Sequence, residues 1–262
     1  MSLDDHQKVL SLFDERQKEY GFLIDEFVFN KYYQKNVKVF GEFVQGELSS
    51  ILVNNGQNIT YYANDKRDVT VYEDILSSLT FSKVSGEFDL IDPFLKMVQI
   101  KSDVLSHLGH IVKINHKPQH ANLELCTIST KQEFSLLYDL LHITDEFTNV
   151  LSTDKDSYVS NQYHLINEHE STTRICYLEI NGQMIATAQT VSEYKNSVII
   201  TGVYTSPHHR DKGYGMDLLI RLCSQLLIEG KTPYFFYNNP KARSIYLKIG
   251  VLETTNWRVL HK

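Results

Sequence analysis

Residues 210–215 spell R-D-K-G-Y-G, an R-x-x-G-x-G pattern whose residue types suit the capture of an anion. Val198, Ile199, Ile200, Val203 and Tyr204 precede it with the composition of a buried strand, which Pro207 ends. Met216, Leu218, Leu219, Leu222, Leu226 and Leu227 follow at the spacing of a helix buried along one stripe. Gly213 and Gly215 therefore stand at a helix N-terminus. There, unpaired amides and the helix dipole hold a phosphate, and missing Cβ atoms leave room for it. Arg210 and Lys212 add a planar fork and a point charge. A P-loop is excluded because Met216, not Lys, follows Gly215, and a dinucleotide fingerprint because position 218 is Leu. A diphosphate fits the turn without metal-binding hydroxyls. Taken alone, two glycines between a strand and a helix also describe an ordinary tight connection.

The residues beyond the helix favour the anion site. Pro233, Tyr234, Phe235, Phe236 and Tyr237 make a second short aromatic strand, and NNPKARSIYLKIGV then supplies Asn238, Asn239, Ala242, Tyr246 and Gly250. Together with the strand ending V-Y-T, the turn and its helix, this set resembles the GNAT acetyltransferase superfamily. The resemblance is firm over residues 174–251 and extends by element order back to residue 121. It implies acetyl-CoA as acyl-donor cosubstrate, no metal, and a small-molecule or peptide amine as acceptor. It also implies cofactor contacts at Val203, Tyr204 and Thr205, at Arg210, Asp211, Lys212, Gly213, Tyr214 and Gly215, and at Asn238 and Asn239. In such a site the Val203 amide polarises the thioester carbonyl and Thr205 helps hold the pantetheine arm. Tyr246 matches the tyrosine that gives a proton to the departing thiolate, whose conjugate acid has a pKa near 8.5. A core aromatic is the alternative for Tyr246, since Ile245 and Leu247 flank it.

The resemblance departs from the family at the base. Many relatives carry a Glu on the central strand, where this chain reads V-I-I-T-G-V over residues 198–203. A bound water is the expected base, with Glu179 or Glu193 from neighbouring strands as alternatives. A function of another class also fits: a non-catalytic acyl-CoA-binding sensor or scaffold. A third, an aminoacyl transferase that builds cell-wall bridges from charged RNA, also uses paired GNAT-like domains. The net charge of −6 and the intact turn count against it.

The remaining chain must position these residues. At 262 residues, 42% hydrophobic and 22% charged, it is globular and long enough for two domains. The acidic balance points away from nucleic acid and toward a cationic or neutral acceptor. Three well-separated cysteines, Cys126, Cys176 and Cys223, read as buried thiols. MSLDDHQKVL carries neither a basic leader nor an apolar core, and no stretch reaches the roughly 18 apolar residues of a membrane span. A cytoplasmic protein, with no membrane partner and with a homodimer left open, is the expectation. Among 11 histidines, His107, His110, His116 and His120 cluster, but Gly109 and Pro118 break their spacing. His164, Glu168 and His169 earn no metal site either, and His208 and His209 beside the turn are expected to face water.

The expected fold class is α/β, of the mixed α+β kind. It comprises two GNAT-like domains, 1–120 and 121–262, each a mostly antiparallel twisted mixed sheet flanked by helices, with the acyl-CoA site in the second. Val9, Leu10, Phe13 and Tyr20 predict a helix ended by Gly21, and a second helix is expected over 22–33. Strands follow around Val37, Val39 and Phe43, around Leu48, Ile51 and Val53, and around Ile59, Tyr61 and Tyr62, with Asn55-Gly56 marking a hairpin. Helices are predicted over 69–79 and over 89–98, the latter with Pro93 in its first turn. Nothing in this half repeats the glycine turn, so it is either a degenerate GNAT-like domain or an unrelated α+β domain. The polar stretch 114–123 (INHKPQHANL) places the boundary near 120. Leu123, Leu125 and Ile128 then predict a strand, and Thr130 with Glu133 a capped helix lined by Phe134, Leu137, Leu140 and Leu141. Strands over 174–180 and 184–191 flank a hairpin turn at Asn181-Gly182, and the unpatterned residues 144–170 are the segment that in this family shapes the acceptor pocket.

Overall fold

The computed structural model describes residues 5–25, 37–143, 154–167 and 173–262. Its first elements are α1 (His6–Phe13), β1 (Val37–Val44), β2 (Glu47–Asn55), β3 (Asn58–Ala63), α2 (Glu73–Ser78), β4 (Lys83–Glu87), α3 (Phe88–Ile91) and β5 (Ser102–His110). There follow β6 (Cys126–Thr127), α4 (Lys131–Leu141), α5 (Lys155–Asn167), β7 (Ile175–Ile180), β8 (Gln183–Val191) and β9 (Ser197–Thr205). The last are α6 (Tyr214–Ile228), β10 (Thr232–Tyr237), α7 (Pro240–Ile249) and β11 (Leu252–His261). The chain divides into two compact units, Met1–His110 with Phe236–Pro240 and Glu253–Lys262, and Ile111–Phe235 with Lys241–Leu252.

In the first unit the sheet runs β1-β2-β3-β4-β11-β5, antiparallel except for the parallel β3–β4 pair where its register is defined. The β2–β3 hairpin forms where expected, yet its tight turn is Gly56-Gln57, with Asn55 opposite Asn58 and Gly56 at φ 61°. The α1 helix does not reach Gly21. It stops at Phe13, where Asp14 takes φ 42°, and a 3₁₀ turn (Asp14–Lys18) follows. That bend still brings Phe13 and Tyr20 onto one ring, Tyr62, at 4.2 and 4.8 Å between centroids. Gly21 opens a helical stretch described to residue 25, and the rest of the helix expected over 22–33 lies outside the described residues. The helix expected over 89–98 is split into α3 and a 3₁₀ turn (Asp92–Lys96), because Pro93 has no N–H to continue the α ladder. Strands β4, β5 and β11 had no expectation. In β4, a Cβ on Gly86 would lie 2.6 Å from the Tyr61 carbonyl oxygen, so glycine permits the close approach to β3.

The second unit orders its sheet β10-β9-β8-β7-β6, antiparallel apart from β9–β10. Asn181 (φ 52°) and Gly182 (φ 78°) both turn left-handed, matching the right-handed twist of β7 and β8. Thr130 and Glu133 close the start of α4 with a complete capping box. Phe134, Leu137 and Leu140 of that helix bury against Ile175, Tyr177, Met184 and Tyr204 of the sheet, each worth roughly 1.5–3 kcal/mol of transfer free energy. The strand expected around residues 123–128 shrinks to Cys126–Thr127.

The polar stretch 114–123 is not a linker. The break between the units falls at 110/111, just before the Ile111 N–H bond to Pro233 O (3.0 Å), and the stretch itself is bonded within the second unit: Asn115 N–H to Ile249 O (3.1 Å) and Leu123 N–H to His120 O (3.2 Å). Its polarity reflects side chains facing water over a backbone that is held. Cys176 and Cys223 are buried and Cys126 is half-buried, all as free thiols.

Candidate active site

Strand β9, which holds the expected Val203, Tyr204 and Thr205, loses its regularity at one place. The β8–β9 register skips between Thr187 and Gln189, and neither Gly202 nor Val203 has a register partner in β8. The parallel ladder to β10 ends at Ile200↔Phe235. Gly202 takes φ 59°, a conformation that favours glycine, and Val203 follows on a β-bulge with its amide outside both registers. The end of the strand therefore departs from the pattern of a fully buried strand, since Gly202 is exposed and Val203 and Thr205 are half-buried.

Past Thr205 the chain makes one 3₁₀ turn (Pro207–His209) and enters the glycine turn. Asp211 (φ 60°) and Gly213 (φ 86°) are left-handed, and Gly213 is the N-cap of α6 with no side-chain cap. Unlike α4, then, α6 begins, among the described residues, with no side chain closing its first-turn amides, the arrangement an anion requires. Arg210 donates from Nε to Thr205 O (3.1 Å) with its guanidinium 5.4 Å from the Tyr204 ring centre, and Lys212 Nζ donates to His208 O (3.0 Å). The other end of the helix is closed by its own backbone. Gly230 N–H to Leu227 O and Lys231 N–H to Leu226 O form a Schellman cap.

The two glycines are small for a reason the pattern did not disclose. A Cβ on Gly215 would lie 2.8 Å from Thr205 Oγ1, and one on Gly213 would lie 2.6 Å from Gln119 Oε1. The missing side chains thus make room for protein atoms. Gln119 belongs to a strap gripped by α6. Asp217, fully buried in the first turn of α6, accepts from Gln119 N–H (2.8 Å), His120 N–H (2.7 Å) and His120 Nδ1 (2.7 Å), while Arg221 Nη2 donates to His120 O (2.7 Å). The His120 ring stacks on Tyr214 at 4.3 Å. Sequence reasoning passed over this clamp. Its signal was an aspartate inside the otherwise apolar run G-M-D-L-L-I, where an unpaired carboxylate would be costly.

Tyr246 is buried on α7 against Phe235, with ring centres 4.9 Å apart. Burial, and then the neighbouring Cys223 thiol, push its hydroxyl up to about 12, so it keeps its proton at neutral pH and cannot serve as a base there. Asn238 and Asn239 are exposed in the β10–α7 connection, in the part of the chain that groups with the first unit. Glu193 is removed from the candidates for the base. It is buried, and although burial opposes its charge, Arg174, Lys231 and Thr190 outweigh that and hold it below the ordinary carboxylate range. Glu179 sits at an irregularity of β7 opposite Met184.

The clustered histidines disperse: His107 lies 3.7 Å from Glu253, His110 faces Thr254 and His120 faces Asp217. Glu168 and His169 lie outside the described residues, as do 144–153 of the expected acceptor segment, of which 155–167 form α5. Among the described residues no three His, Cys, Asp or Glu gather as metal ligands. A hollow between the 68–70 and 92–97 turns of the first unit contains none of the predicted site residues. No helix of the described residues is long and apolar enough to cross a membrane.

Residues 137–251 match the model of the acetyltransferase (GNAT) family, a range that contains β9, the glycine turn, α6, β10 and Tyr246. The second unit carries a GNAT domain. Solved structures share the fold across nearly the whole chain. A GCN5-related N-acetyltransferase-like protein from Streptococcus suis is 12% identical, covering 98% of each chain with a TM-score of 0.56. A Drosophila protein is 8% identical, covering 100% of this chain and 97% of its own at 0.63. A tandem GNAT protein from the clavulanic acid biosynthesis pathway is 10% identical, covering 91% and 87% at 0.55. At these identities the likeness is one of fold. No curated protein matches the chain by sequence. The sheets are accordingly mixed and largely antiparallel with flanking helices, as expected, and the GNAT domain holds every predicted catalytic and turn residue.

Proposed function

We propose that the protein is an acyl-CoA-dependent N-acyltransferase that moves acetyl from acetyl-CoA directly to a primary amine. The observation that carries this reading is the sequence of events along ten residues. Val203 leaves the ladders at a bulge, and the chain then reaches an α6 N-terminus that no side chain caps. The first provides an amide for a thioester carbonyl, and the second provides amides for the diphosphate of the same cofactor. Arg210 and Lys212 flank that turn as supplementary cations. The first unit, which has no such turn, is in this reading a degenerate GNAT-like domain.

In the reaction the amine nitrogen attacks the thioester carbon, and negative charge develops on the carbonyl oxygen beside the Val203 amide. The carbon–sulfur bond then breaks, and the thiolate takes the hydroxyl proton of Tyr246 while water removes the proton lost by the amine and returns one to Tyr246. Tyr246 holds a proton at neutral pH, as an ordinary tyrosine does, while its raised pKa makes donation to a thiolate less favourable, so the donor role rests on its match to the family tyrosine. A second reading, a non-catalytic acyl-CoA sensor, is favoured by the base: β9 offers no acid, and Glu193 is already committed to Arg174 and Lys231. Release of free thiol from acetyl-CoA across polyamines, amino sugars and peptide N-termini separates the two. Turnover with one of these amines is expected. Cofactor binding without thiol release on any of them favours the sensor. If an amine is found, Tyr246→Phe should lower kcat by about 10²–10⁴-fold with cofactor affinity little changed. Turnover at the wild-type rate would remove Tyr246 from the mechanism.

A further inference from the structure

The strap residue Gln119 stands where the proposed diphosphate would arrive, and it lies outside the range matched by the family model. Its backbone is fixed by the Asp217 carboxylate, and its side chain lies over Gly213, with Oε1 2.6 Å and Nε2 3.8 Å from the position of a Cβ there. The residue is exposed, and among the described residues its carboxamide has no hydrogen-bond partner. A donor-bearing group is thus held against an uncapped helix start with its own hydrogen bonds unspent. The clamp also removes an obstacle. A bare carboxylate in the first turn of α6 would repel an arriving anion, whereas the Asp217 oxygens are turned into the protein and taken by three donors from Gln119 and His120.

Resting on the acyl-CoA reading above, we propose that the Gln119 carboxamide is a ligand of the coenzyme A diphosphate and that Asp217 is a positioning residue that holds it there. On binding, the Gln119 amide N–H groups join the α6 amides around the phosphates, and Gly213, glycine for its φ of 86°, leaves the carboxamide space beside the helix start.

The test is calorimetric titration of the full chain with coenzyme A. Gln119→Ala should raise Kd about tenfold or more, the loss of one hydrogen bond to a charged group. Gln119→Glu should raise it further by placing a negative charge beside the phosphates. Neither change should move the urea midpoint, since the side chain bonds to no described residue. Asp217→Asn should weaken binding in the wild-type background and by much less in the Gln119→Ala background, a non-additivity that general loosening of the fold would not produce. Should that variant fail to fold, the Gln119 pair decides alone. Wild-type affinity in both folded Gln119 variants overturns the proposal while leaving the acyl-CoA reading intact. A wild-type chain that binds no coenzyme A overturns both.

Discussion

Gly215→Ala isolates the packing of the phosphate turn from its chemistry. The new methyl would stand 2.8 Å from Thr205 Oγ1, and among the described residues no other heavy atom beyond its chain neighbours and its own helix lies within 4 Å. Two effects of opposite sign follow. Alanine is a better helix former than glycine by about 1 kcal/mol, and Gly215 lies in the first turn of α6 without a left-handed φ. Against this, overpacking costs roughly 1–3 kcal/mol where the neighbour must yield, and Thr205 is a short side chain whose only relief is to rotate or shift. The net expectation is destabilisation of about 0–2 kcal/mol. Thr205→Ala removes the obstructing oxygen, so in that background the same change should stabilise by up to about 1 kcal/mol, giving a coupling of roughly 1–3 kcal/mol. Urea unfolding of the four proteins of the cycle, with equal slopes, measures it. The same cycle in coenzyme A affinity should show Gly215→Ala harmful only while Thr205 is present, because the Cβ points at the protein and not at the phosphates. Strictly additive changes, in stability or in binding, would refute the account of why this position is glycine.

Gly250 closes α7 as the left-handed residue of a Schellman cap at φ 116°, and a Cβ there would lie 2.5 Å from the Lys113 backbone oxygen. Gly250→Ala should therefore cost about 2–5 kcal/mol in urea unfolding, strain and clash together. Glu133 and Glu229 both fall from the ordinary 4.5 to about 2. Burial opposes the charge of Glu133, but hydrogen bonds from Ser129, Thr130 and Tyr177 outweigh it, while Arg174 leads for Glu229. Because the folded values lie below the unfolded ones, this stabilisation is complete above pH 4.5 and is lost as pH falls toward 2. The urea midpoint should drop over that window, and Glu133→Gln should shallow the drop; an unchanged acid limb would deny the carboxylate a role.

Local chemistry decided what local chemistry can reach. Asn181-Gly182 fixed a hairpin, Thr130 and Glu133 fixed a helix start, and Arg210 to Gly215 marked a helix N-terminus, because each depends on residues within a few positions of one another. The division of the chain was less legible. Residues 114–123 have the polarity of a linker, but the Asn115 amide is bonded to the Ile249 carbonyl, more than a hundred positions away, and the Gln119 and His120 amides to the distant Asp217 carboxylate. The reason for the two glycines lay equally beyond the sequence. Thr205 is ten positions from Gly215, yet their contact requires the chain to turn between strand and helix, and Gln119 reaches Gly213 only through a buried carboxylate, Asp217. The R-x-x-G-x-G pattern states that small residues are needed. Which atoms fill the space they leave is a matter of close approach between distant segments, and only the folded arrangement decides it.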